Sequence, residues 1–363
     1  MTSPTDREEV LLAPGSVGQP GEIERLNRLL DRAGLRCRLG QPDGPEKSDL
    51  VELPLTGDQP PQPARAVRDA LQEAGRAGQR VPELLLDGRY TVDTVEDRAE
   101  PHELVASGKK IGHGLIAWVT VPARQMPASP PWRPVARRPV VALLDSGVKP
   151  HPWLPDEPDD PFHLLAGWQT KLPVPPLRSA DDRPNYGSHY GHGTFIAGII
   201  RLAAPDARVL SLPVMSDAGK VSELRAAEAL EWLVERVGAG EPVDVVCLAF
   251  GRPWDRTDAD NYHGEGAANA RRLRWAIHRL ADQGVRVVAS AGNQNSPERT
   301  APAGYACDPQ EPVASVGAGT SPATKADYSN YGDWVKHWRP GTDVVSIMPL
   351  RPTPADDGDG YAR

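Results

Sequence analysis

The sequence predicts an α/β protein in two unequal parts: a small α+β domain, then a larger parallel sheet sandwiched by helices. Three observations predict it. Over residues 1–95, short apolar strands and amphipathic helices follow the order βαββαβ, the split-βαβ or ferredoxin-like arrangement. From Pro139 onward, near-continuous apolar runs alternate with helical periodicity, as for parallel strands covered on both faces. Between them, residues 122–138 are rich in Pro, Ala and Arg and poor in periodicity, which reads as a linker. The expected boundaries are a small domain at 1–95, a tail and Pro-rich linker at 96–138, and a large domain from 139 to 363.

In the small domain, residues 9–13 form a short apolar strand. Ile23, Leu26, Leu29 and Leu30 recur at spacings of three and four, which predicts a helix over 21–34. Residues 36–39 and 49–55 read as strands, 63–75 as a second helix through Val67, Ala70 and Leu71, and 82–86 as a last strand. A further strand is expected within 111–121.

In the large domain, residues 140–144 form the first buried strand. Helices are expected over 194–202, 221–237 and 267–283, the second with Leu224, Ala227, Leu230 and Leu233 in register. Strands are expected over 209–214, 243–249, 285–289, 313–316 and 343–347.

Composition excludes several functions. The net charge is −8, and no basic stripe with interleaved aromatics suggests a nucleic-acid partner. The three cysteines, Cys37, Cys247 and Cys307, are too sparse for a disulfide framework or a metal cluster. The N-terminus lacks a basic stretch followed by an apolar one, and no apolar run approaches the ~18 residues of a membrane span. The expectation is a cytoplasmic protein without a membrane partner.

Three segments carry chemistry. Val141-Ala-Leu-Leu-Asp145-Ser-Gly147 delivers a carboxylate to a strand tip, where sites gather in open α/β sheets. Tyr190-Gly-His192-Gly-Thr194 delivers an imidazole to the head of a helix, with Thr194 as its expected cap. Ala289-Ser-Ala-Gly-Asn293 brings an amide to a third strand tip, where its NH₂ can donate to a developing oxyanion. An acid and a histidine are the orienter and general base of a nucleophilic hydrolase. His113 also lies in a Gly-His-Gly run, but without the Thr and within a strand-like stretch. His151 stands between prolines and reads as a loop residue.

In this order the three segments resemble the motifs of the subtilisin-like serine proteases, the subtilase family, with Phe195 where a second His is common. Leu248-Ala249-Phe250-Gly251 resembles the family's cleft strand, where Ser-Leu-Gly is usual. The resemblance runs from Val140 to about Met348 and implies several expectations. The large domain has a subtilisin-like fold and is a serine endopeptidase acting on polypeptide substrates. Asp145 and His192 belong to its triad, and Asn293 is its oxyanion donor. The backbone of 248–251 pairs with substrate, and Phe250 walls the S1 pocket. No cofactor is required, although calcium is common in the family. The small domain matches a prodomain, a folding chaperone and inhibitor acting in cis.

The family's nucleophile stands in Gly-Thr-Ser-x-Ala at the start of a buried helix. Gly319-Thr-Ser321-Pro-Ala323 matches those letters, but no core-facing run follows it and Tyr328-Ser-Asn-Tyr-Gly332 should precede the nucleophile, not follow it. Ser321 is therefore rejected. The chain is expected to stop just short of its serine and, as given, to be inactive. The rival reading is a pseudoprotease that keeps the cleft as a peptide-binding or regulatory module. An α/β-hydrolase is disfavoured, because Gly-x-Ser-x-Gly is absent and the acid precedes the histidine.

Overall fold

The computed structural model describes residues 9–19, 21–42, 50–58, 63–91, 117–118, 137–151, 153–154, 163–165, 189, 191–216, 219–255, 258–259, 267–321, 324–342, 344–347 and 349. Most of the expected tail and linker at 96–138, including His113, lies outside the described residues.

The small domain comprises β1 (Glu9–Pro14), α1 (Glu22–Arg32), β2 (Cys37–Leu39), β3 (Leu50–Leu53), β4 (Leu55–Gly57), α2 (Pro63–Arg76) and β5 (Leu85–Thr91). β1 pairs antiparallel with both β3 and β5, and β2 pairs antiparallel with β4. The strand predicted over 49–55 is broken at Pro54, which has no N–H for a ladder. Its second half turns to pair with β2, and the Pro54 carbonyl accepts from Gly40 N at 2.7 Å. The helices close the core through Ile23, Leu26, Leu30, Val67 and Leu71, packed on Leu11, Ala13, Val51 and Leu53.

After β6 (Ala117–Trp118), the large domain runs β7 (Val140–Asp145), β8 (His163–Leu165), α3 (His192–Ala203), β9 (Arg208–Pro213), β10 (Lys220–Ser222), α4 (Glu223–Gly238), β11 (Val245–Leu248), β12 (Arg252–Pro253), α5 (Ala267–Asp282), β13 (Arg286–Ser290), β14 (Thr300–Ala301), β15 (Val313–Ser321), β16 (Thr324–Lys325), β17 (His337–Pro340) and β18 (Val345–Ser346). The main sheet has the order β16-β15-β13-β11-β7-β9-β8, with β17 on β15. All its pairs are parallel except β15 with β16. This is a subtilisin-like α/β fold.

Period two along β7 explains its apolar run. Val140, Ala142 and Leu144 enter the core that includes α4 and α5 residues such as Leu230, Leu233, Leu273 and Ile277. Leu143 points to the other face, among Ala197 of α3, Val209, Trp153 and Ile347. β7 is also where the strand order reverses, since its neighbours β9 and β11 both follow it in sequence. Crevices at such switch points are where ligands bind in open α/β sheets.

Two helix starts differ from expectation. α3 begins at His192, not 194, because Gly191 takes a left-handed φ of 85° and serves as the N-cap residue. Thr194 does not cap it; its Oγ1 accepts from Lys149 N at 2.9 Å. α4 begins at Glu223, because 220–222 are drawn into a strand and Ser222 Oγ caps the helix by accepting from Arg225 N at 3.1 Å.

Candidate active site

Asp145 ends β7 and is fully buried. Its backbone carbonyl accepts from Val214 N and Met215 N at 2.9 and 3.1 Å, and its Oδ1 from Ser146 N at 2.7 Å. His192 Nδ1 lies 3.0 and 2.9 Å from the two carboxylate oxygens. A carboxylate only accepts, so Nδ1 carries the proton and the neutral ring keeps Nε2 as its basic atom. The His192 side chain is 27% exposed and its partner 0%, so the imidazole bridges a dry acid and the open side of the site.

The Gly193 backbone explains the close fit. A Cβ there would stand 2.7 Å from the Gly147 carbonyl and 3.1 Å from Asp145 Oδ1. Gly193 N donates to Ser146 Oγ at 3.1 Å, so the residue after the acid binds the start of the helix that carries the base.

The three motif strands end level with one another. Leu248 on β11 is in register with Leu144 on β7 and with Ala289 on β13. Asp145, Ala249 and Ser290 therefore stand side by side, β11 in the middle, across about 10 Å at the usual strand spacing. Asn293 lies three residues past that line and is half-buried. Of the cleft residues, Ala249 is half-buried and Leu248 and Gly251 are buried. Phe250 departs from expectation: its side chain is 0% exposed and packs in the main core with Ala291, Ala301 and Ala303. Its ring is a core residue and not an open wall of a pocket.

His189 was not foreseen. Its ring centroid is 6.3 Å from that of His192, and it packs against Gly219. Burial above all, and the neighbouring His192, push its pKa down to about 4, while Asp145 opposes the shift. His151 accepts from Trp153 N through Nδ1 at 3.1 Å, a loop role as expected. Ser321 closes β15 and pairs with Thr324 across a hairpin, not at a helix start. Calcium, which the resemblance implies, needs a set of oxygen ligands; among the described residues no group of three or more His, Cys, Asp or Glu is gathered to hold a metal. Among the described residues no helix is long and apolar enough to cross a membrane.

The small domain reaches this face. β5 pairs antiparallel with β10, Lys220 opposite Thr91 and Ser222 opposite Arg89. Asp87, fully buried, receives a short hydrogen bond from Ser222 Oγ, one from Leu224 N at 2.9 Å and one from Asn269 Nδ2 at 3.2 Å. A carboxylate of the small domain thus sits at the N-terminal ends of α4 and α5, where helix dipoles favour negative charge. Beside it, Arg252 holds the fully buried Glu223 at 2.6 Å and the almost fully buried Asp258 at 2.6 and 2.9 Å.

Comparison with known proteins shows what the chain is similar to. The minor extracellular protease Epr of Bacillus subtilis (strain 168) is 24% identical over 216 residues, covering 57% of this chain and 27% of its own. The thermophilic serine proteinase of Bacillus sp. (strain AK1) is 30% identical over 167 residues, covering 43% of this chain and 36% of its own. The prenylagaramide maturation protease PagA has a solved structure with a TM-score of 0.42 and 24% identity, covering 58% of this chain and 66% of that one. The chain spans between about a quarter and a half of the length of such curated relatives. Residues 136–347 match the subtilase family, Peptidase_S8. Because that match takes in more than half of the chain, this protein belongs to the subtilase family.

Proposed function

We propose that this protein is a serine endopeptidase in which Asp145, His192 and Asn293 serve an attacking serine that is not among the described residues. The reading rests on one observation above the others: the Nδ1 of His192 on the buried carboxylate of Asp145 at 2.9 and 3.0 Å. In the reaction, the serine Oγ attacks the scissile carbonyl carbon and its proton passes to His192 Nε2. Asp145 stabilises the imidazolium, and Asn293 donates to the tetrahedral oxyanion. His192 then protonates the leaving amine. Water, activated by the same imidazole, releases the acyl group and regenerates the serine. The backbone of 248–251 pairs with an extended polypeptide substrate.

The small domain is read as the enzyme's own inhibitor and folding partner in cis. The Asp87 contacts and the β5–β10 pairing support this, because they seat the small domain on the strand and helix start at residues 220–224.

The test is peptide hydrolysis by the chain carrying its serine. His192→Ala is expected to lower turnover by about 10⁴-fold or more. Asn293→Ala is expected to lower kcat by about 10²–10³-fold with KM nearly constant, the size known for the equivalent amide of subtilisin. Turnover that survives His192→Ala removes it from the mechanism. Peptide binding without hydrolysis points instead to the pseudoprotease.

A further inference from the structure

Asn293 lies in a loop that does not hold its own shape. Residues 291–296 leave β13 with Gly292 at φ 104° and Asn295 at φ 51°, both in the left-handed region. Chain of this kind keeps one conformation only when its surroundings impose it. Behind the loop stands Asn330, 1% exposed. Its Oδ1 accepts from Gln294 N at 2.9 Å and from Ser296 N at 3.1 Å. Its Nδ2 donates to the Ala291 carbonyl at 2.9 Å and to Gln294 Oε1 at 2.7 Å. Its backbone N donates to the Gly292 carbonyl at 2.8 Å.

We propose that Asn330 is the positioning residue of the oxyanion amide: one side-chain amide ties both flanks of the loop and thereby aims Asn293. The inference rests on the reading of Asn293 as oxyanion donor. The chemistry is specific to a carboxamide. Two backbone N–H groups require an acceptor, so the oxygen must face 294 and 296. The carbonyl of 291 accepts from the Asn330 amide nitrogen and from Thr300 Oγ1 at 3.0 Å, and of the two only Asn330 also reaches the 294–296 side of the loop. Aspartate has the shape without the donors, and serine has neither the reach nor the number of bonds.

The template is itself anchored. Ser329 Oγ accepts from Ala318 N at 3.0 Å, and Ala326 N donates to the Ala318 carbonyl at 2.9 Å, both on β15. Asn295 N donates to the Tyr328 carbonyl at 2.8 Å and Tyr331 N to the Ser296 carbonyl at 3.0 Å. At its near end the loop is fixed to the same strand, Ala291 N donating to Val316 O at 2.9 Å. Residues 291 and 294–296 are therefore held against β15 and the turn after it, with Asn293 between them. Preorganised donors need no rearrangement as charge develops, which is the source of their catalytic value.

Two measurements test this. In residues 1–363, Asn330→Ala is expected to speed amide hydrogen exchange at Gln294 and Ser296 by at least about 10-fold, with the amides of β7 and β11 unchanged. In the chain carrying its serine, the same variant is expected to lower kcat by about 10²-fold with KM within about 3-fold. The double variant with Asn293→Ala should be no slower than Asn293→Ala alone, because both act through one group. Should Asn330→Ala fail to fold, Gln294→Ala removes only the Nδ2–Oε1 bond from an exposed side chain, and a kcat loss of about 5-fold is expected. Unchanged exchange at 294 and 296, or multiplicative losses in the double variant, overturns the proposal. Absence of any hydrolysis by the serine-bearing wild type overturns the protease reading instead, and the exchange measurement then still decides whether Asn330 templates the loop.

Discussion

Asp87→Ala tests how the small domain is held to the large one. The carboxylate is fully buried and accepts from Ser222 Oγ, Leu224 N and Asn269 Nδ2. Hydrogen bonds to a charged group contribute about 1.5–3 kcal/mol each, and the cost of burying the carboxylate offsets much of their sum. Alanine removes that cost but leaves buried donors for water to reach. A net loss of about 3 kcal/mol is expected, or about 10²-fold in the ratio of docked to undocked domain. The assay is amide hydrogen exchange of residues 220–222 and 89–91, which form the β5–β10 pair. Their protection should fall by about 10²-fold while β7, β11 and β13 keep theirs. Asp87→Asn retains one acceptor oxygen and should fall between the two. Exchange at 220–222 that is indifferent to Asp87→Ala would refute the idea that this carboxylate latches the domains.

Two further outcomes follow from buried charge. Arg252→Met leaves Glu223 and Asp258, both almost fully buried, without their cation; a loss of about 3–5 kcal/mol is expected, or about 10 °C in Tm by thermal unfolding, and a shift under 2 °C counts against it. His189, neutral in the fold down to about pH 4, takes up a proton in the unfolded chain near 6.5, so its contribution to stability is complete above pH 6.5 and is lost as the pH falls toward 4. His189→Phe keeps a ring against Gly219, and its urea midpoint should drop less between pH 7 and pH 5 than that of the wild type; equal drops refute the assignment.

Much of the fold was legible because the elements that make it announce themselves locally. β7 and β11 are apolar on both faces, and α1, α4 and α5 carry their apolar stripe at helical spacing. What escaped was decided by tertiary partners. Residues 221 and 222 begin a helical pattern by periodicity, yet they pair with β5, a strand more than a hundred residues earlier, so α4 starts later. Thr194 has the chemistry of a cap, but Gly191 opens the helix before it and the hydroxyl turns to Lys149 N. Phe250 was assigned by its neighbours in sequence, while its ring is claimed by the main core.

The same contrast divides the site. Asp145 and His192 were visible because each motif contains the reason for its geometry: an apolar strand to deliver the acid, and glycines to let helix and strand approach. Asp87 and Asn330 carry no such signature. In sequence, Asp87 between Leu86 and Gly88 and Asn330 between Ser329 and Tyr331 have the composition of turns. Each acquires its role from donors that lie far along the chain, at Leu224 and Asn269 for the one and at Gln294 and Ser296 for the other. A buried Asp or Asn is tolerated only when its bonds are met, so full burial with several partners marks such residues once coordinates exist. In this protein both lie outside the acid–histidine pair. One holds the domain that β10 receives, and the other holds the loop that presents Asn293.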